Sequence, residues 1–423
     1  MRHPAATTAD APSAAQKHIL TVLVISQVLS GAGLAAGITV GALLAQEMLG
    51  STGLAGVPSA LFTAGSALAA VAVGRFSQRR GRRPGLAAGY ATGALGSLGV
   101  VVAAVAGNAP LLFAALFVYG AGTATNLQAR YAGADLAEPR HRGRAVSTVL
   151  VATTVGGVVG PNLASATGAL AHSVGIPHLA GPFLLATAAY AAAAVVLAGW
   201  LRPDPLLLAR ALDARTPTAT GTAEERGSTG GTPRGGAGGV TLGAAVMVLT
   251  QLVMVAIMTM TPVHMHAHGH GTTASGLVIA IHVGAMYLPS PLTGLLVDRF
   301  GRLWIAAASG VTLLAAGVLA AAAPPASVPL LATALALLGL GWNFGLVSGT
   351  AIITDTVPLA TRAKTQGLVD VAIAIAGAGG GMASGVVVAV GGFTALSLGG
   401  GILALAVLPV IAYAARPRPA AGR

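Results

Sequence analysis

The sequence has 423 residues, of which 55 % are hydrophobic and only 8 % are charged, whereas soluble domains carry roughly 25 % charged residues. So little charge excludes a water-soluble protein of this size, and it equally excludes a disordered chain, which is polar and highly charged. The absence of cysteine excludes disulfides, thiolate metal sites and cysteine nucleophiles. We therefore predict an integral membrane protein.

Apolar segments long enough to cross a bilayer, which takes about 20 residues, follow one another along the whole chain. They lie at 19–45, 53–74, 85–107, 109–129, 145–170, 179–201, 241–264, 274–297, 303–323, 328–350, 366–390 and 392–415. The first is too long for the core of a signal peptide and follows Asp10, which predicts a retained helix. The predicted fold class is an all-α membrane protein with twelve transmembrane helices.

The positive charges fix the orientation of these helices. All 23 Lys and Arg residues fall in segments on one side of the predicted spans, and such residues concentrate on the cytoplasmic side of membranes. We therefore expect both termini in the cytoplasm. The net charge of +12 then reports orientation and contact with the lipid bilayer, and nucleic acid is not an expected partner.

One stretch interrupts the apolar pattern between the sixth and seventh helices. Residues 202–240 are rich in Gly, Thr and Pro with mixed charge, a composition typical of flexible linkers. The predicted organisation is an N-terminal six-helix half at 1–201, a flexible cytoplasmic linker at 202–240 and a C-terminal six-helix half at 241–423.

A shift of 220 residues superimposes the basic loops of the two halves. The first loop reads Gly74-Arg-Phe-Ser-Gln78-Arg79-Arg-Gly81-Arg82, and the second reads Gly294-Leu-Leu-Val-Asp298-Arg299-Phe-Gly301-Arg302. The same shift pairs Asp135 with Asp355, Arg142 with Arg362, and Arg144 with Lys364. One shift that matches two separate loops indicates duplicated, pseudo-symmetric halves.

The loop pattern Gly-x-x-x-Asp-Arg-x-Gly-Arg resembles the signature of the major facilitator superfamily, with Gln78 replacing the aspartate in the first copy. The resemblance covers essentially the whole chain and implies a secondary transporter that works by alternating access, not an enzyme, without a prosthetic group. In the family this loop helps to hold the cytoplasmic gate. The residues implied are Asp298, Arg299, Arg302, Gln78, Arg79 and Arg82.

Helix 5 contains Gly156-Gly-Val-Val-Gly160-Pro161, which resembles a motif of proton-coupled exporters in the same superfamily. Glycines four residues apart also let membrane helices pack closely. Helix packing is the simpler interpretation.

Two pairs of soft side chains lie in helices 7 and 8. Met254 and Met258, and likewise His282 and Met286, are four residues apart, so each pair shares a helix face. At ~1.5 Å per residue all four fall around the middle of a ~30 Å hydrocarbon core, where they could converge. Thioethers with an imidazole favour copper, especially Cu(I), although methionine also fills apolar cores.

Alternating histidines follow helix 7 on the predicted outer side. His264, His266, His268 and His270, with Met265, predict a metal-capture patch above the two pairs, although imidazole alone does not select among Cu(II), Zn²⁺ and Ni²⁺. The alternative is a solvated polar loop.

The Met-x-x-x-Met and His-x-x-x-Met pairs together resemble the CcoA-like bacterial copper importers, a branch of the superfamily. The resemblance implies import of copper across the bacterial cytoplasmic (inner) membrane for cytochrome c oxidase assembly. Its expected partners are the copper ion, the bilayer and a cytoplasmic copper chaperone, and we expect a monomer. Branch relatives without these pairs are associated with other substrates, including riboflavin, and cysteines of some branch members have no counterpart here.

Two alternatives to copper import stay open. One is a proton-coupled transporter of drugs or small metabolites, such as riboflavin-like molecules. The other is a membrane metal sensor without transport.

One charged residue lies inside a predicted helix and another lies directly at the end of one. Asp370 on helix 11 is interpreted as an inner gate paired with Arg362 or Lys364, or alternatively as a proton site. Arg130, which closes helix 4 with Gln128 and Asn126, is interpreted as a helix-end arginine that extends towards water, or as a group facing the central cavity.

Overall fold

The structure, a computed structural model, describes residues 10–49, 57–215 and 237–415. These residues form α-helices joined by short turns, and no strand occurs among them. In chain order the helices are α1 Asp10–Leu49, α2 Val57–Arg80, α3 Arg82–Ala106, α4 Ala109–Ala134, α5 Arg142–Ser173, α6 Gly181–Trp200, α7 Pro205–Arg215, α8 Ala237–Ala267, α9 Thr272–Tyr287, α10 Ser290–Phe300, α11 Arg302–Ala322, α12 Val328–Thr356, α13 Arg362–Ala404 and α14 Val407–Ala415.

The described helices include ten runs long and apolar enough to cross a membrane. One of these runs contains both predicted helices, 366–390 and 392–415. The non-helical backbone of Gly392, with φ of +77° and ψ of 174°, divides α13 into two helices at the predicted boundary. The predicted helix at 145–170 lies within α5. The all-helical fold with apolar spans is confirmed.

The predicted helix at 274–297 is divided by a short turn at 288–289. Its local sequence explains the division, because Pro289 and Pro291 lack the N–H groups that would bond to the carbonyls four residues earlier. The first part, α9, ends at Tyr287, and the second part, α10, begins at Ser290.

The predicted linker at 202–240 is partly helical. Its first residues form α7, where the carboxylate of Asp204 accepts hydrogen bonds from the backbone N–H groups of Leu206 and Leu207 at 3.0 and 3.1 Å. Leu206 is buried. A capping aspartate followed by a leucine run explains this helix, and residues 216–236 lie outside the described part of the chain.

The chain divides into two units that do not coincide with the two sequence halves. Unit 1 comprises residues 1–138, 145–216 and 359–374, and unit 2 comprises the remaining segments 139–144, 217–358 and 375–423. Each unit therefore contains one short segment from the other sequence half.

Stacked aromatic rings and a buried polar network form the centre of unit 1. Tyr90 stacks on Tyr190 with ring centroids 5.7 Å apart, and its hydroxyl donates to Gln27 at 2.5 Å. The Gln27 amide donates to the carbonyl of Asn126 and to Thr153 at 3.1 and 3.0 Å. Asn126 is thus part of a hydrogen-bonded core, which is the usual state of buried polar groups.

Close helix packing accounts for the glycine motif in α5. A Cβ atom on Gly156 would overlap the carbonyl of Val28 in α1, and one on Gly160 would lie 2.7 Å from the carbonyl of Ala32. The two glycines therefore let the backbones of α5 and α1 touch, as glycines do in membrane helices.

We expect Gly156→Ala to destabilise the protein relative to Gly157→Ala. Both substitutions raise helix propensity equally, but a Cβ on Gly157 meets no described atom within 4 Å, whereas one on Gly156 meets backbone. Overpacking typically costs about 1–3 kcal/mol, so the melting temperature of the purified protein should fall for Gly156→Ala alone. Equal melting temperatures of the two variants would contradict this account.

Candidate functional site

Asp298 holds the start of α5 in unit 2. Its Oδ1 accepts the backbone N–H of Gly143 at 2.8 Å, and its Oδ2 accepts that of Arg144 at 3.1 Å. A carboxylate that caps the N-terminus of a helix satisfies free N–H groups and interacts favourably with the helix dipole. Asp298 thus acts as a cap supplied by another helix.

Gln78 makes the equivalent contact in unit 1. Its Oε1 accepts the backbone N–H groups of Ala363 and Lys364 at 2.7 and 3.3 Å, which are the positions of Gly143 and Arg144 shifted by 220. Its Nε2 donates to the carbonyl of Ala360 at 2.6 Å. An amide both accepts and donates, so Gln78 keeps the capping contacts of the expected aspartate without its charge.

Ion pairs complete both copies of this arrangement, buried in unit 1 and half-buried in unit 2. Arg82 is fully buried, and its Nε lies 2.7 Å from Asp135, whose other oxygen lies 3.8 Å from Arg362. In unit 2 Asp355 pairs with both Arg302 and Arg142. We call these two sets of residues the basic-end network. Its members in unit 1 are Gln78, Arg82, Asp135 and Arg362, and its members in unit 2 are Asp298, Arg302, Asp355 and Arg142.

Two of the arginines that the signature loop implies lie apart from this network. Arg79 and Arg299 are exposed at the ends of α2 and α10, and the guanidinium of Arg299 lies over the ring of Phe300, 5.5 Å from its centroid. Their exposure suits contact with water or headgroups.

A second buried ion pair, Arg130 with Asp370, lies in unit 1. The Arg130 guanidinium lies 2.7 Å from Asp370 Oδ1, to which the Tyr131 hydroxyl donates at 3.2 Å. Asp370 Oδ2 is buried and has no hydrogen-bond partner among the described residues. Arg130 of α4 and Asp370 of α13 thus form a buried, hydrogen-bonded ion pair.

Two predictions about these charges are wrong. Asp370 pairs with Arg130 rather than with Arg362 or Lys364, because eight residues of helix place Arg362 ~12 Å further along α13, where it contacts Asp135. Arg130 does not extend towards water, since it is fully buried and finds its carboxylate on a neighbouring helix.

The Arg130–Asp370 pair also departs from the internal repeat. The shift of 220 places Thr350 opposite Arg130 and Leu150 opposite Asp370, whereas the basic-end network is present in both copies. Buried ion pairs often contribute little to stability compared with apolar residues. The Arg130–Asp370 pair has no counterpart at the equivalent positions of the repeat, and it is therefore a candidate for a functional role.

His282 is a fully buried histidine of α9 in unit 2. Its Nδ1 lies 2.8 Å from the carbonyl of Leu335 in α12; a carbonyl only accepts, so Nδ1 carries the proton and Nε2 is left with its lone pair. Nε2 is buried and has no hydrogen-bond partner within the described chain. A histidine held this way through one nitrogen is typical of metal ligands.

The methionines of the two predicted pairs lie on helices that pack on the same part of α12. Gln251, one turn before Met254, accepts a hydrogen bond from Trp342 at 2.7 Å, and Asn343 donates to the carbonyl of Met286 at 2.7 Å. Trp342 and Asn343 are adjacent, so α8 and α9 reach one level of α12 here. Met254 and Met286 are buried, and Met258 is half-buried.

The structure brings some of the alternating histidines together and directs others elsewhere. Helix α8 extends to Ala267, so neighbours two residues apart point in different directions. The His264 ring stacks on Phe393 with a centroid distance of 4.3 Å and lies 4.4 Å from His268, while His270 contacts the carbonyl of Pro325 at 2.7 Å. His266 is exposed, Met265 is buried, and nowhere in the described ranges do three His, Asp or Glu side chains form a metal-binding group.

Helix α7 supplies a contact that the sequence did not predict. Arg210 donates to the carbonyls of Gln78 and Leu359 at 3.1 and 3.2 Å. Asp204 accepts the backbone N–H of Arg83 at 2.7 Å. The sequence signal that could have predicted helix α7 is its Pro-Leu-Leu-Leu run, which lies within a segment otherwise rich in Gly and Thr.

A family model described as Major Facilitator Superfamily matches residues 23–287 and 240–423. The chain belongs to the Major Facilitator Superfamily. It is therefore a multi-pass membrane transporter of a superfamily whose members are generally not enzymes.

Relatives of this superfamily member cover most of its length. It is 58 % identical to the uncharacterized MFS-type transporter YdeG of Bacillus subtilis, over 94 % of this chain and 92 % of YdeG. It is 31 % identical to the riboflavin transporter RfnT of Brucella anthropi, over 85 % of each chain. The crystal structure of the human organic anion transporter MFSD10 has a TM-score of 0.75 at 16 % identity, covering 94 % of this chain and 99 % of that one, which shows the shared fold.

Proposed function

We propose that this Major Facilitator Superfamily transporter imports copper across the bacterial cytoplasmic membrane. The observation that carries the proposal is the buried imidazole of His282. Its Nδ1 is hydrogen-bonded to the Leu335 carbonyl, and its buried Nε2 has no hydrogen-bond partner among the described residues. An imidazole inside a membrane helix marks a functional site by default. Met254, Met258 and Met286 are the proposed companion ligands.

The chemistry of this set favours a soft metal ion. Thioethers and imidazole bind Cu(I) well and Mg²⁺, Ca²⁺ or Mn²⁺ poorly. A carrier must also release its ion, and neutral thioethers hold it less tightly than thiolates would.

His264 and His268 are the proposed outer capture residues. They are four residues apart with adjacent rings, an arrangement that offers two nitrogens to one metal ion. The ends that carry the basic-end network are proposed to face the cytoplasm, in line with the distribution of Lys and Arg. Both termini are then cytoplasmic, the transporter acts as a monomer, and a cytoplasmic copper chaperone receives the ion.

The inner gate is proposed to consist of the basic-end network and the Arg130–Asp370 pair. Opening must separate Asp298 and Gln78 from the helix starts that they cap, and Arg130 from Asp370. Alternating access then proceeds by rocking of the repeats around the central ligands.

The test of this function is flux into proteoliposomes made with the purified full chain. Radioactive copper under reducing conditions, zinc and nickel are each supplied outside, and uptake is compared with protein-free vesicles. We expect copper uptake to exceed that of zinc and nickel. Equal uptake of all three, or none of copper, would refute the proposal.

A second candidate is transport of a riboflavin-like small metabolite. The 31 % identity to RfnT over 85 % of the chain favours it. Flux of labelled riboflavin in the same vesicles, without copper flux, would establish this alternative instead.

A further inference from the structure

Two prolines weaken the membrane span that contains Met286. Pro289 and Pro291 have no N–H, so neither residue can donate the backbone hydrogen bond that a helical residue makes to the carbonyl four positions earlier. The span is thus interrupted between α9 and α10. The interruption lies between Met286 and Asp298, which belongs to the basic-end network.

One buried amide bridges this interruption. The Nδ2 of Asn343 donates to the Met286 carbonyl and to Ser290 Oγ, both at 2.7 Å. Its Oδ1 accepts the hydroxyl of Thr293 at 2.5 Å. We call these three bonds the Asn343 clamp, and it holds the last turn of α9 and the first turn of α10 to the same point of α12.

The far end of α10 carries the capping carboxylate of the basic-end network. Asp298 accepts the N–H of Gly143, and a Cβ on Gly143 would lie 2.6 Å from the carbonyl of Gly294. Twelve residues separate Met286 from Asp298, about 18 Å of helix. The proposed metal ligands and the proposed gate thus lie on one interrupted span.

The interruption and the clamp occur together in only one half of the repeat. The shift of 220 places Ala69 and Val71 opposite the two prolines and Thr123 opposite Asn343. The corresponding helix α2 runs without interruption from Val57 to Arg80. The half that contains the Met and His pairs is therefore also the half with an interrupted membrane helix. In this half Asn343 forms hydrogen bonds to both sides of the interruption.

We propose that Asn343 is a positioning residue that couples occupancy of the metal site to the gate. The inference rests on the proposed function, since it takes copper as the ligand of His282 and Met286. With the clamp in place, α9 and α10 move together, and a displacement of Met286 on metal binding reaches Asp298. Without it, the interrupted backbone absorbs the displacement. A buried amide with all its partners satisfied holds such a geometry rigidly.

The variant Asn343→Leu has nearly the same shape and removes all three bonds. Ser348→Ala is the matched control, because Ser348 is also buried in α12 but donates to Phe344 of its own helix. For Asn343→Leu we expect copper affinity within about threefold of the parent and kcat lowered at least about tenfold, and for Ser348→Ala parental kinetics. A raised KM with unchanged kcat, or parental kinetics in Asn343→Leu, would overturn the proposal.

A direct readout of the gate is hydrogen exchange of the backbone N–H groups of Gly143 and Arg144, which Asp298 accepts. Copper should change their exchange in the parent and leave it unchanged in Asn343→Leu. The same copper response in both proteins would exclude coupling through the clamp.

Backbone N–H groups at positions 289 and 291 should make the helix continuous and so substitute for the Asn343 clamp. This experiment also tests the proposal if Asn343→Leu is poorly folded. Adding Pro289→Ala and Pro291→Ala to Asn343→Leu returns two backbone N–H groups to the interruption, and kcat should return to within about threefold of the parent. Failure of this rescue in a protein that binds copper normally would refute the coupling. Absence of copper flux in the parent itself would instead refute the proposed function.

Discussion

Replacing His282 by asparagine is expected to lower copper uptake at least about tenfold while the packing of α9 on α12 is kept. The asparagine amide can occupy the place of Nδ1 and donate to the Leu335 carbonyl, which the native ring contacts at 2.8 Å, but it has no equivalent of Nε2. Losing one ligand nitrogen should lower uptake at subsaturating copper at least about tenfold, which corresponds to about 1.4 kcal/mol. The measurement is initial uptake in proteoliposomes over a range of copper concentrations.

Methionine-to-leucine substitutions extend this test to the thioethers, because they keep volume and remove sulfur. Met254→Leu, Met258→Leu and Met286→Leu should each reduce copper uptake. Met247→Leu is the control on the same helix, since Met247 is buried and its sulfur lies 3.7 Å from the Thr350 hydroxyl. Undiminished uptake in His282→Asn, or an equal loss in Met247→Leu, would remove the proposed copper site.

Separating the Arg130–Asp370 pair is expected to damage both stability and transport, but in ways that can be distinguished. Arg130→Met or Asp370→Leu alone leaves one buried charge uncompensated, which typically costs about 3–5 kcal/mol. The double variant Arg130→Met/Asp370→Leu removes both charges and should recover most of the lost stability, because apolar replacement of a buried pair is often neutral. Melting temperatures of the purified proteins report this part.

Transport by the double variant decides whether the pair has a function beyond folding. We expect it to remain at least about tenfold below the parent, because an apolar contact cannot release and re-form a charge interaction between α4 and α13. Arg299→Met, which removes an exposed arginine at the end of α10, should leave uptake unchanged. A stable double variant that transports at the parental rate would show that the pair is only structural.

Much of the fold follows from the sequence because bilayer spans have a simple physical signature. Hydropathy and length predict the helices, and the shift of 220 residues predicts which loop positions are equivalent, so that Gln78 and Asp298 indeed occupy matching caps. The helix of Pro205–Arg215 was missed because eleven residues carry too little composition signal beside a Gly- and Thr-rich stretch. The division at 288–289 was readable in principle, since Pro289 and Pro291 both lack donors.

The contacts of individual side chains were less predictable. Rise per residue gives depth in the membrane, but it does not say which helices are neighbours. The partner of Asp370 is Arg130, 240 residues away in sequence, and only the packing of α4 against α13 brings them together. The hydrogen bond of the His282 side chain depends likewise on the Leu335 carbonyl, a backbone group without a sequence signal.

The assignment of residues 359–374 to unit 1 has a consequence for biosynthesis. When α4 first enters the membrane, it carries Arg130, but Asp370 has yet to be made. At roughly 5–20 residues per second, the 240 residues between them take on the order of 10–50 s to translate. During that interval the nascent first half must keep a guanidinium solvated in or near the bilayer without its carboxylate. The last helices to emerge therefore complete the interior of the unit that was begun first.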